Sequence, residues 1–197
     1  MKKVTILTVF ALFFGAVFSV QAQESRTGVG VRGGANFFTF GGSDASGADY
    51  DNRVGFHAGA YATLGLGQAF AIEPGVFYSI KGTQNDDLVN SRAVLGYVDV
   101  PVLARLYLGN AFNVFAGPQV SYLVNSRFEG DLFGSSVGFD TDAIRDTDFG
   151  LVFGVGFNLP RGFNLQASYD YGTTPVFRNS EANVYNRGFK LSLGLTL

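Results

Sequence analysis

The chain has 197 residues, with 14 Lys and Arg against 16 Asp and Glu, and a formal net charge of −2 at pH 7. This balance offers no basic excess for nucleic acid, and the absence of cysteine excludes disulfides and thiolate metal sites. The sequence also contains 27 Gly, 21 Phe and 9 Tyr. Aromatic residues suit lipid-facing and interfacial positions, and glycine suits tight turns and crowded barrel interiors, so the composition favours a membrane β-barrel.

The first residues predict a secretory signal peptide. Lys2 and Lys3 form a basic start, an apolar run follows over residues 4–20, and Val20-Gln21-Ala22 resembles a cleavage site. The alternative is an N-terminal membrane anchor, but the apolar run is short and ends at that cleavage site. We therefore predict cleavage after Ala22, with residues 1–22 as the signal peptide and residues 23–197 as one domain.

A short segment occurs three times, at residues 64–72, 106–114 and 157–165. Each copy has alternating apolar residues, then Gly or Pro at a turn, and then a Phe with another apolar residue two positions after it. The pattern predicts a strand that arrives, a tight turn and a strand that leaves. A Phe occupies the same position beside each turn, and these residues are Phe70, Phe112 and Phe163.

Period-two alternation of apolar and polar residues predicts eight strands. In chain order they are Gly28–Phe38, Val54–Leu66, Phe70–Lys81, Val94–Leu108, Phe112–Val124, Asp148–Leu159, Phe163–Gly172 and Arg187–Leu197. Beyond the signal peptide, no apolar run approaches the roughly 20 residues of a membrane helix, so a membrane protein of this sequence must be a closed barrel. The predicted fold is all-β: an eight-stranded antiparallel up-and-down transmembrane β-barrel.

Short and long connections alternate along this barrel. The short ones are Gly67–Ala69, Gly109–Ala111 and Pro160–Gly162, and the long ones are roughly Gly41–Arg53, Gly82–Ala93, Asn125–Thr147 and Thr173–Asn186. Outer-membrane barrels keep short turns in the periplasm and long loops outside the cell. We therefore expect both termini in the periplasm, and a periplasmic-side aromatic girdle formed by Phe70, Phe112 and Phe163.

One face of the predicted strands is nearly free of charge, whereas the other carries Arg32, His57, Glu73, Lys81, Asp99, Arg105, Asp148, Asp170 and Lys190. A soluble barrel of the lipocalin type would turn the apolar face inward. The Gly-rich polar faces and the Phe residues beside the turns favour a membrane barrel, with the apolar face outward. Because eight strands enclose a lumen just wide enough to fill with side chains, we interpret the charged residues as a structural cluster of ion pairs. A proton or solute path is the alternative.

The sequence offers no clear catalytic or cofactor-binding pattern. His57 is the single histidine, and its spacing from Ser79 and Ser121 does not indicate a hydrolase. Asp140 and Asp142 have oxygens that suit calcium, but the EF-hand pattern is missing. The same long loop carries apolar residues that either form a binding patch or fold over the barrel mouth: Phe128, Leu132, Phe133, Val137, Phe139 and Ile144. We expect no enzyme activity, no cofactor and no metal site.

Several strand sequences together resemble the PorT-like outer-membrane β-barrel family, often labelled porin family proteins. The segments that carry the resemblance lie at residues 30–36, 55–61, 73–82, 97–105 and 116–118, and the most specific is Tyr97-Val98-Asp99-Val100-Pro101. The resemblance covers nearly the whole mature chain and implies an eight-stranded barrel in a Gram-negative outer membrane. PorT itself belongs to a protein secretion system, and the family has no catalytic motif to transfer.

The leading functional hypothesis is a monomeric outer-membrane barrel that acts as a structural or interaction protein through its external loops. Its expected partners are outer-membrane lipid, lipopolysaccharide and a protein bound at the loops, with no nucleic acid. Three alternatives stay open at this point: a narrow pore for small solutes, a PorT-like component of a secretion system, and a lipid-modifying enzyme that uses His57.

Overall fold

The computed structural model describes residues 26–42, 51–81, 83–85, 91–132, 135–136, 145–176 and 183–197. Within them the chain forms eight long antiparallel strands. They are β1 (Gly28–Gly41), β2 (Asp51–Gly65), β3 (Phe70–Lys81), β4 (Ser91–Leu108), β5 (Phe112–Leu132), β6 (Thr147–Asn158), β7 (Phe163–Gly172) and β8 (Tyr185–Thr196). The predicted signal peptide, residues 1–22, lies outside the described residues.

Each long strand pairs with its neighbour in sequence, and β1 pairs with β8 to close the sheet. The closing register runs from Gly30 opposite Thr196 to Gly41 opposite Tyr185. A closed barrel leaves no open strand edge at the level where all eight strands are present, as a bilayer requires of a β-structure. The fold class predicted from the sequence is therefore confirmed.

The three predicted short turns join β2 to β3, β4 to β5 and β6 to β7. Gly67 and Gly109 have positive φ angles of 93° and 82°, which side chains other than glycine rarely adopt. Arg26, just before β1, spans two of these turns: its Nε donates to Gln68 O at 3.2 Å and its Nη2 donates to Gly109 O at 3.0 Å. The chain entering the barrel is thereby tied to the short-turn end.

Several strands, among them β1, β2, β4 and β5, extend further at the other end than the alternation predicted. Residues 125–130 of β5 pair with residues 91–96 of β4, so the start of the predicted loop Asn125–Thr147 is strand. Its charged and glycine residues are typical of loops, but backbone pairing with β4 overrides that tendency. Thr83–Asn85 adds a short strand between β2 and β4, and Ser135–Ser136 pairs with the end of β5. Among the described residues, the barrel wall at this long-loop end therefore extends furthest at β4 and β5.

Most apolar side chains of the strands face outward, and the interior holds the buried polar side chains together with a few apolar ones. On β6, Phe149, Leu151 and Phe153 are about half exposed, whereas Val152 between them is buried. The outward apolar face is the reverse of a soluble lipocalin-type barrel and matches a barrel surrounded by lipid. Across the described ranges, no helix is long and apolar enough to cross a membrane.

Candidate functional site

The charged residues predicted for the lumen all lie inside the barrel, and each has a relative exposure of 8% or less. They are Arg32, His57, Glu73, Lys81, Asp99, Arg105, Asp148, Asp170 and Lys190. Buried charges are tolerated only when they are paired and hydrogen-bonded. Ion pairing groups seven of these residues into two clusters, one towards each end, and His57 and Asp148 belong to neither cluster.

The short-turn cluster consists of Arg32, Glu73 and Arg105. Glu73 Oε1 accepts from Arg32 Nη1 at 2.8 Å and from Arg105 Nη2 at 2.7 Å. Arg105 also donates to Asn113 Oδ1, and the two guanidinium groups lie against the rings of Tyr61 and Phe115. One carboxylate thus joins β1, β3 and β4 across the lumen.

The long-loop cluster consists of Lys81, Asp99, Asp170 and Lys190. Asp99 accepts from Lys81 Nζ at 2.7 Å and from Lys190 Nζ at 3.0 Å, and Lys190 Nζ also lies 2.7 Å from Asp170 Oδ2. The Ser121 hydroxyl donates to Asp99 Oδ1 at 2.6 Å. Ammonium and carboxylate groups therefore alternate across four strands, which cross-links the barrel wall from inside.

Asp148 lies beside the long-loop cluster but forms no ion pair within the described part of the chain. Its Oδ2 accepts a hydrogen bond of 3.0 Å from Asn186 Nδ2, and its Oδ1 has no hydrogen-bond partner there. The structure thus pairs Glu73, Asp99 and Asp170 with cations and leaves this fourth carboxylate with an amide.

His57 forms a hydrogen-bonded relay with two residues that the sequence did not single out. His57 Nδ1 lies 2.7 Å from Asn36 Oδ1, and His57 Nε2 lies 2.9 Å from Ser192 Oγ. Asn36 Nδ2 donates to the carbonyls of Phe56 and Ile80, so its Oδ1 is the atom left to accept from His57. From this network we assign the proton to Nδ1, and Nε2 accepts from the Ser192 hydroxyl.

Gly34 makes this relay possible. It is directly opposite His57 on β2 and opposite Ser192 on β8. A side chain at Gly34 would overlap the backbone of Leu191, so the position between histidine and serine stays open. Neither Asn36 nor Ser192 has a sequence signal beyond its place on the polar face of a strand. The two serines considered from sequence, Ser79 and Ser121, do not contact His57 in any hydrogen bond described.

Two small cavities adjoin these groups. One, of about 40 Å³, lies between the clusters and is lined by residues that include His57, Ser192, Arg32 and Lys190. The other, of about 10 Å³, lies on the long-loop side. A single water needs roughly 10–15 Å³, so neither cavity admits a solute of substrate size.

The described residues contain no group of three or more His, Cys, Asp or Glu side chains that could hold a metal ion. The suggested calcium ligands Asp140 and Asp142 lie outside those residues, as do Phe133, Val137, Phe139 and Ile144. Phe128 and Leu132 belong to the extension of β5.

The three Phe residues beside the short turns lie at one end of the barrel, on strands β3, β5 and β7. Phe70 and Phe163 are exposed at 57% and 42%, and Phe112 packs against Phe157 with ring centroids 5.2 Å apart. Their placement has the form of an interfacial aromatic band.

A closed barrel with a lipid-compatible outside and an ionic inside defines a transmembrane β-barrel protein. Residues 21–178 match the outer membrane protein beta-barrel domain, and the chain belongs to that family. The protein is accordingly an outer-membrane β-barrel protein. No curated protein matches the sequence.

Two solved structures of outer-membrane proteins share the fold. Neisserial surface protein A has 15% sequence identity and a TM-score of 0.59, and the match covers 86% of this chain and 97% of that chain. Ail, the attachment invasion locus protein of Yersinia pestis, has 14% identity and a TM-score of 0.52, with 86% and 99% covered. At such identity the likeness concerns the fold alone.

Proposed function

We propose that this protein is a non-enzymatic, monomeric outer-membrane barrel with a structural or interaction role exerted through its long-loop end. The observation that carries the proposal is the filled lumen. The short-turn cluster and the long-loop cluster both cross the interior, and their charged groups are committed to one another. The surfaces left for function are then the outward face and the two ends of the barrel.

A pore for small solutes would require both clusters to separate. Removing one partner from a buried ion pair costs about 3–5 kcal/mol, so a resting channel through this lumen is unfavourable. Recording currents across planar bilayers that contain the purified protein tests this point. We expect no discrete channel openings, and regular single-channel steps would favour the transport alternative.

The outward face supports outer-membrane lipid and lipopolysaccharide as partners. Arg187 on β8 lies outside the lumen, with its guanidinium carbon 4.2 Å from the centre of the Tyr171 ring, and it donates to the Tyr171 hydroxyl at 3.1 Å. Two residues along the strand, Phe189 is 62% exposed. An arginine between the rings of Tyr171 and Tyr185, at the border of an apolar belt, suits a lipid phosphate. We place this long-loop end of the barrel, where Arg187 lies, at the cell surface. The long loops are then extracellular and both termini are periplasmic.

Cross-linking of the tagged protein in native outer membranes tests the interaction role. We expect a reproducible partner that is lost when residues 137–144 are replaced by a Gly-Ser segment of equal length. A folded variant that retains the same partner would contradict a role for that loop. Capture of components of a secretion apparatus would instead support the PorT-like alternative.

The relay of Ser192, His57 and Asn36 favours a second candidate function, a serine hydrolase. It has the order of a nucleophile, a base and a group that orients the base. Against it, the adjoining cavity of about 40 Å³ is too small for an acyl substrate. A small fluorophosphonate, which labels activated serines, decides between the hydrolase and the non-enzymatic barrel. Labelling that is lost in Ser192→Ala would support the hydrolase, and an unlabelled wild-type protein would support the non-enzymatic proposal.

A further inference from the structure

Three buried oxygen atoms at the long-loop side of the lumen have no hydrogen-bond partner among the described residues. They are Oδ1 of Asp148, Oδ1 of Asp170 and Oδ1 of Asn186. Their residues are 8%, 4% and 3% exposed, and all three line the same cavity of about 10 Å³. Buried acceptors without donors are costly, so three acceptors around one cavity form a site for a particle that supplies donors or positive charge.

The remaining polar atoms of these side chains are already committed. Asp148 Oδ2 accepts from Asn186 Nδ2, and Asp170 Oδ2 accepts from Gln119 Nε2 and lies beside Lys190 Nζ. With both carboxyl groups ionised, all three free oxygens are acceptors and cannot satisfy one another. The occupant must bring positive charge or hydrogen-bond donors.

The local charge favours a cation over water. Three carboxylates, Asp99, Asp148 and Asp170, surround this end of the lumen together with two ammonium groups, Lys81 and Lys190. One negative charge is left uncompensated when all five groups are ionised. A water molecule would bridge two of the acceptors but would leave that charge in place.

We propose that this cavity binds one monovalent cation of the size of sodium, with Asp148, Asp170 and Asn186 as ligands. Carboxylate and amide oxygens are the ligands that hard cations prefer, and the cavity has room for one water-sized particle. A divalent ion would overcompensate the local charge, and Lys81, which lines the same cavity, would repel it about twice as strongly as it repels a monovalent ion.

An ion bound only to the folded barrel stabilises it in proportion to its concentration. The test compares thermal unfolding of the full-length protein in detergent micelles, followed by circular dichroism, in sodium chloride and in N-methyl-D-glucamine chloride at equal ionic strength. We expect a saturable rise of the unfolding temperature with sodium alone. Equal unfolding temperatures in the two salts would overturn the proposal.

The variant Asp148→Asn tests whether the stabilisation by sodium arises at this cavity. An amide at this position removes the charge and supplies its own donors to the free oxygens, so the rise caused by sodium should disappear. The matched control is Asp146→Asn, since Asp146 is exposed at the rim and does not line the cavity. The control should keep the full sodium effect, and a sodium effect that persists in Asp148→Asn would overturn the assignment.

A direct measurement does not depend on the folding of any variant. Crystals of the wild-type protein grown in sodium and soaked in thallium(I) should show an anomalous peak between Asp148, Asp170 and Asn186. An ordered water with no anomalous signal at that place would overturn the proposal. The result is independent of the interaction role, because a barrel with or without this ion can present the same loops.

Discussion

The two ionic clusters bury charge by different means. In the short-turn cluster, one carboxylate, Glu73, serves two guanidinium groups that also lie against aromatic rings. In the long-loop cluster, ammonium groups alternate with carboxylates, and the gaps are filled by Ser121 and Gln119. The first arrangement has an excess of positive charge, and the second, together with Asp148, has an excess of negative charge.

The difference follows from the side chains. A guanidinium group is planar, holds several donors in fixed directions and tolerates contact with aromatic rings, so two arginines can share one acid. An ammonium group is a compact charge that needs oxygens around it, so Lys81 and Lys190 require several acceptors. The short-turn cluster consequently closes the lumen more firmly. The long-loop cluster keeps acceptor oxygens that have no donor among the described residues.

The largest expected effect is that of Glu73→Gln. This change leaves Arg32 and Arg105 buried without a counter-charge, so the free energy of unfolding should fall by about 3–5 kcal/mol. Urea titration in phospholipid vesicles, followed by circular dichroism, measures it. A loss below about 1 kcal/mol would show that the short-turn cluster is not the main internal cross-link.

Asp99→Asn should destabilise less, by about 2–3 kcal/mol in the same titration, because Lys190 keeps Asp170 as a partner. Lys81 loses its paired carboxylate, so adding Lys81→Met to this variant should restore part of the loss. If Asp99→Asn costs more than Glu73→Gln, the ranking of the two clusters is reversed.

Ser192→Ala probes the region between the clusters. It removes the hydroxyl that donates to His57 Nε2, and we expect the free energy of unfolding to fall by about 1 kcal/mol. The variant should fold and keep its β-sheet spectrum. A loss as large as that of Asp99→Asn would mean that the relay is a third major cross-link of the lumen.

The smallest effect should come from Asp148→Asn measured without sodium. Because Asp148 has an amide partner and no ion pair within the described residues, the free energy of unfolding should change by less than about 1 kcal/mol. A large loss in sodium-free buffer would show that this carboxylate has a counter-charge within the protein.

The sequence predicted the strands well because alternation is a local property. The bounds of β3 and β7 match the prediction, and turn glycines mark the ends of several others. The same alternation placed the charged residues inside the lumen. It could not predict which acid meets which base, since Arg32 reaches Glu73 across β2 and the partners depend on barrel closure and stagger.

Two features of the structure, the hydrogen-bonded relay at His57 and the extension of β5, could not be predicted from local sequence patterns. Asn36 and Ser192 are ordinary small polar residues, and only closure of β8 against β1 brings Ser192 to His57. The extension of β5 reads as a loop in sequence, because pairing with β4 rather than hydrophobic alternation sustains it.

The pairing of β1 with β8 constrains how the barrel assembles in the membrane. The ring joins the first strand to the last, so it cannot be completed until the entire domain has reached the membrane. A nascent barrel that lacks β8 would present two open edges to lipid, with backbone donors and acceptors that lipid cannot satisfy. Assembly is therefore expected to be all-or-none, and a truncated chain should be a substrate for degradation rather than a smaller barrel.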